Sequence, residues 1–315
     1  MSDSLLTPVL FQFFDNPDTS LKVFMEIRKQ RPLHLYLVQD GCRTSSNREC
    51  ERLLLVRAGI LELIDWECDL HTLFRNVNLG PGKGTSEAII WFFSQVDEGI
   101  VIEHDCLPHP DFFAYCENLL ARYRYNTEIQ LINGSNLQKG KKYGHSSYYF
   151  CKTGSLWGWA GWKRTITHYE YDIHKIDFRQ LQIDIERNFK TRREREYWKD
   201  SYDWIKTGIA NTWDFQLLYK LWHDNALIVQ PNHNLISNIG FGNQAIHCKD
   251  PTSLSANMAT EKILPVRHPK RLKPHASADT HYLDIYLADE TYKLMNPSLQ
   301  FKRKIKQLLR KIIRK

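Results

Sequence analysis

The chain has 315 residues, 42% hydrophobic and 25% charged, globular values that exclude a disordered or collagen-like polymer. Its net charge is +7, but residues 296–315 (NPSLQFKRKIKQLLRKIIRK) hold eight Lys/Arg and no acid, leaving the other 295 residues at −1. A body-wide basic face of the nucleic-acid-binding kind is therefore excluded, and no apolar run reaches the roughly 18 residues of a spanning helix.

From the N-terminus, MSDSLLTPVLFQFF has no basic stretch before its apolar run and no small-residue cleavage site, so no secretory signal is expected. Apolar β-type runs follow at residues 8–14, 33–38, 68–74 and 100–103, separated by segments of helical periodicity. Residues 86–96 place Ile89, Phe92, Phe93 and Val96 on one face, and residues 111–123 do the same with Phe112, Cys116, Leu119, Leu120 and Tyr123. Strands alternating with such helices predict an α/β fold, a mostly parallel sheet flanked by helices on both faces. Ligands of such sheets bind beyond the carboxyl ends of the strands. That rule directs attention to Asp15, Asp40, Arg75 and Glu103-His104-Asp105. The seven cysteines are an odd number without a CxxC pair, which predicts free thiols in a reducing cytosol rather than a disulfide framework or a zinc ribbon.

Beyond residue 125 the pattern changes. Short strands at 129–132 and 147–151 lead into a region holding seven of the nine tryptophans, Trp157 to Trp222. Helices are expected near 179–190, 192–206 and 213–224, then a Gly/Asn/His-rich loop at 232–247. Residues 249–280 are polar and Pro-containing and read as a linker. The chain is thus divided into halves at 1–125 and 126–250, an extension at 251–295 and the basic tail at 296–315.

Several segments admit a chemical and a structural reading. Asp40-Gly41 can present a carboxylate to a ring N–H of a nucleotide base, or simply open a turn. Asn78-Leu-Gly-Pro-Gly-Lys83-Gly84 can bring a helix N-terminus to a phosphate, or be a connecting loop with a solvated lysine. It is neither a dinucleotide nor a P-loop signature. Glu103 and Asp105, two apart in extended backbone, can aim two oxygen donors at one hard cation, or sit in water as strand-end acids. His104 points the other way. Trp157-Gly-Trp159-Ala-Gly-Trp162 is a sugar-stacking platform or core. Asp214 opens a helix, where the macrodipole favours an acid whether or not it serves as a general base.

Taken together and in order, the segments TPVLFQFFDNPDTSLKVFMEIRKQRP, LYLVQDG, LFRNVNLGPGKG, GIVIEHDCLPHPDFF, SLWGWAGWKR, TWDFQ and NLISNIGFGNQAIH resemble bacterial nucleotide-diphospho-sugar transferases of the hemolysin-like (HlpA) type. These are GT-A-fold glycosyltransferases, more distantly similar to animal N-acetylglucosaminyltransferases, and the resemblance covers roughly residues 7–250. It implies a UDP-sugar donor and a divalent metal, Mn²⁺ or Mg²⁺. It implies Asp105 as direct metal ligand, Glu103 orienting ribose or waters, Asp40 on the uracil and Asp214 as catalytic base. His104 stands where most relatives carry an acid. Asp15-Asn16-Pro17 stands where relatives have Asn-Arg-Pro, so Arg75 or Lys83 is expected to replace the missing cation. The loop 232–247 corresponds to a segment that closes over the donor, with Ser237 toward a phosphate and His247 toward phosphate or metal. Trp157, Trp159 and Trp162 would face the acceptor.

The implied activity is an inverting sugar transfer to a glycan, which needs little covalent chemistry from the protein, in surface polysaccharide synthesis with a lipid-linked acceptor. A sugar-binding protein without catalysis and a sugar nucleotidyltransferase are the alternatives; the latter would want a basic, glycine-rich signature that residues 8–30 lack. In the tail, apolar residues at 301, 305, 308, 309, 312 and 313 form one stripe with cations on the other faces. This is expected to lie on an anionic membrane surface, peripheral on the cytoplasmic face. A helix packed on its own domain, a partner-protein helix and nucleic-acid contact are the other readings of that stripe.

Overall fold

The first strand, β1 (Val9–Phe13), alternates Val9, Phe11 and Phe13 with Leu10 and Gln12, and all five are buried because both faces of the sheet are covered. The next helix, α1 (Pro17–Gln30), begins on the Asn16 side chain, which accepts from the Thr19 amide, with proline at its start. The computed structural model describes residues 4–43, 47–242, 253 and 255–288. The first half continues with β2 (His34–Gln39), α2 (Asn47–Glu62), β3 (Asp69–Phe74), α3 (Gly80–Gln95), β4 (Glu98–Glu103), β5 (Cys106–Pro108) and α4 (Asp111–Tyr123). The second half holds β6 (Ile129–Asn133), β7 (Tyr148–Cys151), β8 (Trp159–Trp162), α5 (Lys163–Ile166), α6 (Phe178–Asn188), α7 (Arg192–Lys206), α8 (Asp214–His223), β9 (Leu227–Pro231), β10 (Ile236–Asn238) and α9 (Ala276–Ala288).

Eight strands form one mixed sheet in the order β3-β2-β1-β4-β8-β6-β9-β7, and β5 pairs with β10 in a separate ribbon. Strands β3, β2, β1 and β4 are mutually parallel, whereas β8 runs antiparallel to both β4 and β6. The two halves thus share one sheet, stitched by β8. One face packs Leu10, Val38, Phe92, Trp159 and Trp222 together; the other packs Phe11, Phe24, Phe112 and Ile236. The expected α/β sheet flanked by helices is what the chain forms. Chain order reverses between β1 and β4, so the crevice expected of such sheets lies beyond their carboxyl ends.

Three expectations are corrected here. Cys42 and Cys50 form a disulfide, because the turn after β2 returns α2 to within 5.5 Å between their Cα atoms. Cys68, Cys106, Cys116 and Cys151 are free, so the cysteine count no longer argues for a reducing compartment. Residues 255–288 are not a linker: Ala278 and Leu283 join the core, and α9 packs on β7. The tail 296–315 lies outside the described residues. Among the described residues, no helix is long and apolar enough to cross a membrane.

Asp279 anchors α9. Its Oδ1 accepts from the Lys152 and Thr153 amides, each at 2.9 Å, and from the Thr153 hydroxyl at 2.8 Å. The Lys152 ammonium turns away to the carbonyls of Asn225 and Ala226. Burial pushes the Asp279 carboxyl up to about 7 from an ordinary 3.8. The folded state then holds this proton more tightly than the unfolded chain. Its stabilising share is complete below the unfolded value and is lost as pH rises through about 7. Asp279→Asn keeps an acceptor for the same three donors and removes the titration. Melting curves at pH 5 and pH 8 should show the wild-type midpoint falling roughly 5 °C more than the variant's.

Candidate active site

The carboxyl ends of β1, β2, β3 and β4 and the start of α8 enclose a cavity of about 510 Å³. This is within the range of nucleotide and cofactor sites. Asp40, Arg75, Glu103, His104, Asp105, Trp157 and Asp214, separate in sequence, all line it. Asp40 closes β2 and has two distinct oxygens. Its Oδ2 accepts from the amides of Leu79 at 2.8 Å and Gly80 at 2.9 Å, holding the N-terminus of α3. A carboxylate thus occupies the helix end that the sequence offered to a phosphate, and the glycine-rich stretch is the first turn of α3 rather than a loop. The other oxygen, Oδ1, is buried without a hydrogen-bond partner. Beside it, 3.8 Å away, stands Arg75 Nη1; Arg75 Nη2 is likewise buried without a hydrogen-bond partner. Gly84 permits this approach, since a Cβ there would lie 3.2 Å from Asp40 Oδ2.

Glu103 ends β4, and Asp105 follows after one residue. Burial, then the neighbouring carboxylates of Asp105 and Asp214, push the Glu103 carboxyl well above the usual carboxylate range. Asp214 is fixed at the first turn of α8: its Oδ1 accepts from the Thr212 hydroxyl and, at 2.9 Å, from the Phe215 amide. The backbone around Asp105 is held by β10, because the Ile239 amide donates to the Asp105 carbonyl at 2.8 Å. Gly240 lies against its side chain; a Cβ there would meet Asp105 Oδ2 at 2.5 Å.

Sequence reasoning missed two arginines. Arg43 and Arg52 line the cavity, and their Nη2 atoms reach Asp15 Oδ2 at 2.7 and 2.8 Å. Arg43 also stacks over the Phe14 ring, 4.7 Å from its centroid. Arg43 Nε also reaches Glu49 Oε1 at 3.0 Å, so the two guanidiniums are balanced by the carboxylates of Asp15 and Glu49. Arg75 lines the cavity as expected, but Lys83 does not: it is exposed on α3 and pairs with Glu87 at 3.7 Å.

The aromatic wall also differs from expectation. Trp157 lines the cavity and meets Phe241 edge-to-face at 6.1 Å. Trp159 and Trp162 are core residues, 1% and 3% exposed, because β8 is an interior strand covered on both faces. Trp213, Phe215 and Tyr286 complete the wall. Trp213 sits in the TWDFQ motif, a usable signal; nothing in the sequence marked Tyr286.

Within the expected lid, Ser237 is paired in β10 opposite Leu107, and its neighbours Asn238 and Gly240 are the ones that line the cavity. His247 lies outside the described residues. The segment 234–239 is built into the structure: the Leu235 amide donates to the Gly134 carbonyl, and Leu235 and Ile236 are fully buried. This corrects the lid for that stretch. Hydrogen exchange at the Leu235 and Ile239 amides should be slow without any nucleotide and change little when UDP is added.

Among the described residues, no three His, Cys, Asp or Glu side chains gather as a ready-made metal cage. The donor chemistry nevertheless suits a hard divalent cation. Asp105 and Asp214 lie close enough to Glu103 for their charges to add to the effect of burial on its carboxyl, and diphosphate and water can fill the other positions.

No protein-family model matches the chain, and neither does any curated protein. Solved structures give distant similarity. A cytidylyltransferase from Leptospira borgpetersenii aligns at 10% identity with a TM-score of 0.30, covering 51% of this chain and 61% of that one. HddC from Yersinia pseudotuberculosis aligns at 14% and 0.31, covering 51% and 79%. An apo UDP-glucose pyrophosphorylase aligns at 12% and 0.36, covering 73% and 93%. The chain spans less than two thirds of the first of these. At such values the site has to be read from its own geometry.

Proposed function

We propose that the protein is a metal-dependent, inverting glycosyltransferase that moves a sugar from a UDP-sugar to a glycan acceptor. The observation that carries the nucleotide reading is the pair of orphaned atoms at one end of the cavity. Asp40 Oδ1 can only accept and Arg75 Nη2 can only donate, and both are buried without hydrogen-bond partners. A uracil edge offers an N–H beside a carbonyl, which would supply the hydrogen bonds that the ion pairs here, Asp40 Oδ1 to Arg75 Nη1 at 3.8 Å and Arg75 Nη2 to Glu87 at 4.0 Å, are too long to make. Arg43 and Arg52 offer guanidinium donors near β1, their charge balanced by Asp15 and Glu49.

Asp214 is placed to take the proton from an acceptor hydroxyl as its oxygen bonds to the anomeric carbon and the bond to the diphosphate breaks. The Thr212 hydroxyl and Phe215 amide hold the carboxylate for that role. Trp157 and Trp213 offer apolar faces for the acceptor ring. When bound at Asp105, Mn²⁺ or Mg²⁺ would supply charge stabilisation for the departing diphosphate. Asp105 and Asp214 otherwise concentrate negative charge beside Glu103, whose raised carboxyl holds its proton near neutrality, and Gly240 keeps the backbone close against Asp105. A lipid-linked acceptor and a membrane-surface role for residues 296–315 complete the proposal from the sequence.

Calorimetry with UDP, CDP and GDP tests the base assignment. UDP should bind most tightly, and Asp40→Ala or Arg75→Met should weaken it about tenfold or more. Equal binding of all three nucleotides, or unaltered affinity in both variants, would remove it.

A further inference from the structure

A second cavity, about 300 Å³, lies at the other edge of the sheet and shares no residue with the first. Its wall is an arch of chain beside β7. At one end the Ser147 amide donates to the Arg267 carbonyl at 2.8 Å; at the other the His275 amide donates to the Phe150 carbonyl at 2.8 Å. Three residues of strand separate the tie points on β7, about 10 Å, whereas eight residues separate them on the arch. The surplus chain stands away from the strand and leaves a hollow.

What faces that hollow is chemically uniform. Lys270, Arg271 and Lys273 line it from the arch. Residues 262–278 contain five Lys/Arg and no acid. Among the described residues, none of the three pairs with a carboxylate. The opposite side is aromatic: Tyr143 and Tyr149 have ring centroids 4.9 Å apart, with His275 5.9 Å from Tyr143. Lys141 adds a cation 5.4 Å over the Tyr143 ring. Tyr149 is 1% exposed, and its hydroxyl is buried without a hydrogen-bond partner.

We infer that this cavity binds a saccharide phosphate. Lysine and arginine on a proline-braced arch match a phosphate, and ring faces beside them match the apolar face of a sugar. A half-open hollow of about 300 Å³ suits one such unit, not the extended backbone-tracking groove of single-stranded nucleic acid. Because Tyr148 pairs with Pro231 at the carboxyl end of β9, both cavities sit at the same end of the sheet. Four strand spacings, about 19 Å, separate them laterally. The inference is independent of what the first cavity does.

Calorimetry on the full chain with glucose 1-phosphate tests it. The K270A/R271A/K273A variant, in which all three side chains are exposed, should bind about tenfold or more weakly with its thermal midpoint unchanged. Inorganic phosphate should bind the wild type less tightly than the sugar ester. A second arm uses phosphatidylinositol vesicles, whose headgroup carries the same chemistry. Sedimentation lost in the triple variant assigns the membrane as a source; loss of glucose 1-phosphate binding alone assigns a free or glycan-borne phosphate. Undiminished binding in the triple variant, or inorganic phosphate binding as tightly as the ester, would overturn the inference.

Discussion

Replacing Asp214 with asparagine should lower the sugar-transfer rate by roughly 10²–10⁴-fold while leaving UDP affinity nearly unchanged. Asparagine keeps an oxygen for the Thr212 hydroxyl and the Phe215 amide, so the first turn of α8 should stay in place. What it loses is the capacity to accept a proton from the acceptor. Asp214 is also one of the charges that raises Glu103, so the variant should bring the Glu103 carboxyl back toward its ordinary range. Steady-state kinetics with a saturating donor separate the two effects. A loss confined to KM would assign Asp214 to substrate binding instead of proton transfer.

Asp105→Ala should abolish the dependence of UDP binding on Mn²⁺ and cost at least about 10²-fold in transfer. The comparison is calorimetry with and without chelator on both proteins. Wild-type affinity should fall when the metal is removed; the variant's should be low in both conditions. Because Gly240 packs directly on the Asp105 side chain, shortening that side chain leaves room rather than strain. The thermal midpoint should therefore move little. Equal UDP affinity with and without chelator in the wild type would remove the metal from the proposal.

The strand ends were legible because they obey a two-residue period bounded by polar residues. Asp40 follows the buried run of β2 and Glu103 and Asp105 that of β4, Arg75 follows the half-exposed edge strand β3, and the sheet brings them to one cavity. Asp214 was legible as a helix start. Trp159 and Trp162 were not, because a tryptophan pair reads alike on a sugar platform and on an interior strand; only the position of β8 between β4 and β6 decides. Arg43 and Arg52 lie outside any strand end, so the rule that found the others passed over them. Tyr286 reaches the cavity from α9, which begins within the polar stretch 249–280 and is anchored by one buried acid, Asp279. Net charge misled in a different way. A net charge of −1 over 295 residues conceals the acid-free stretch 262–278, and the second cavity depends on that local excess.

The central claim is the reaction itself. Phosphorus and proton nuclear magnetic resonance should follow the protein incubated with UDP-sugars, Mn²⁺ and oligosaccharide acceptors, with and without added pyrophosphate. The expected result is UDP together with a glycoside whose anomeric configuration is opposite to the donor's, both absent with Asp214→Asn. Conversion of the UDP-sugar by pyrophosphate into UTP and a sugar 1-phosphate, with no glycoside formed, would contradict it and make the protein a nucleotidyltransferase.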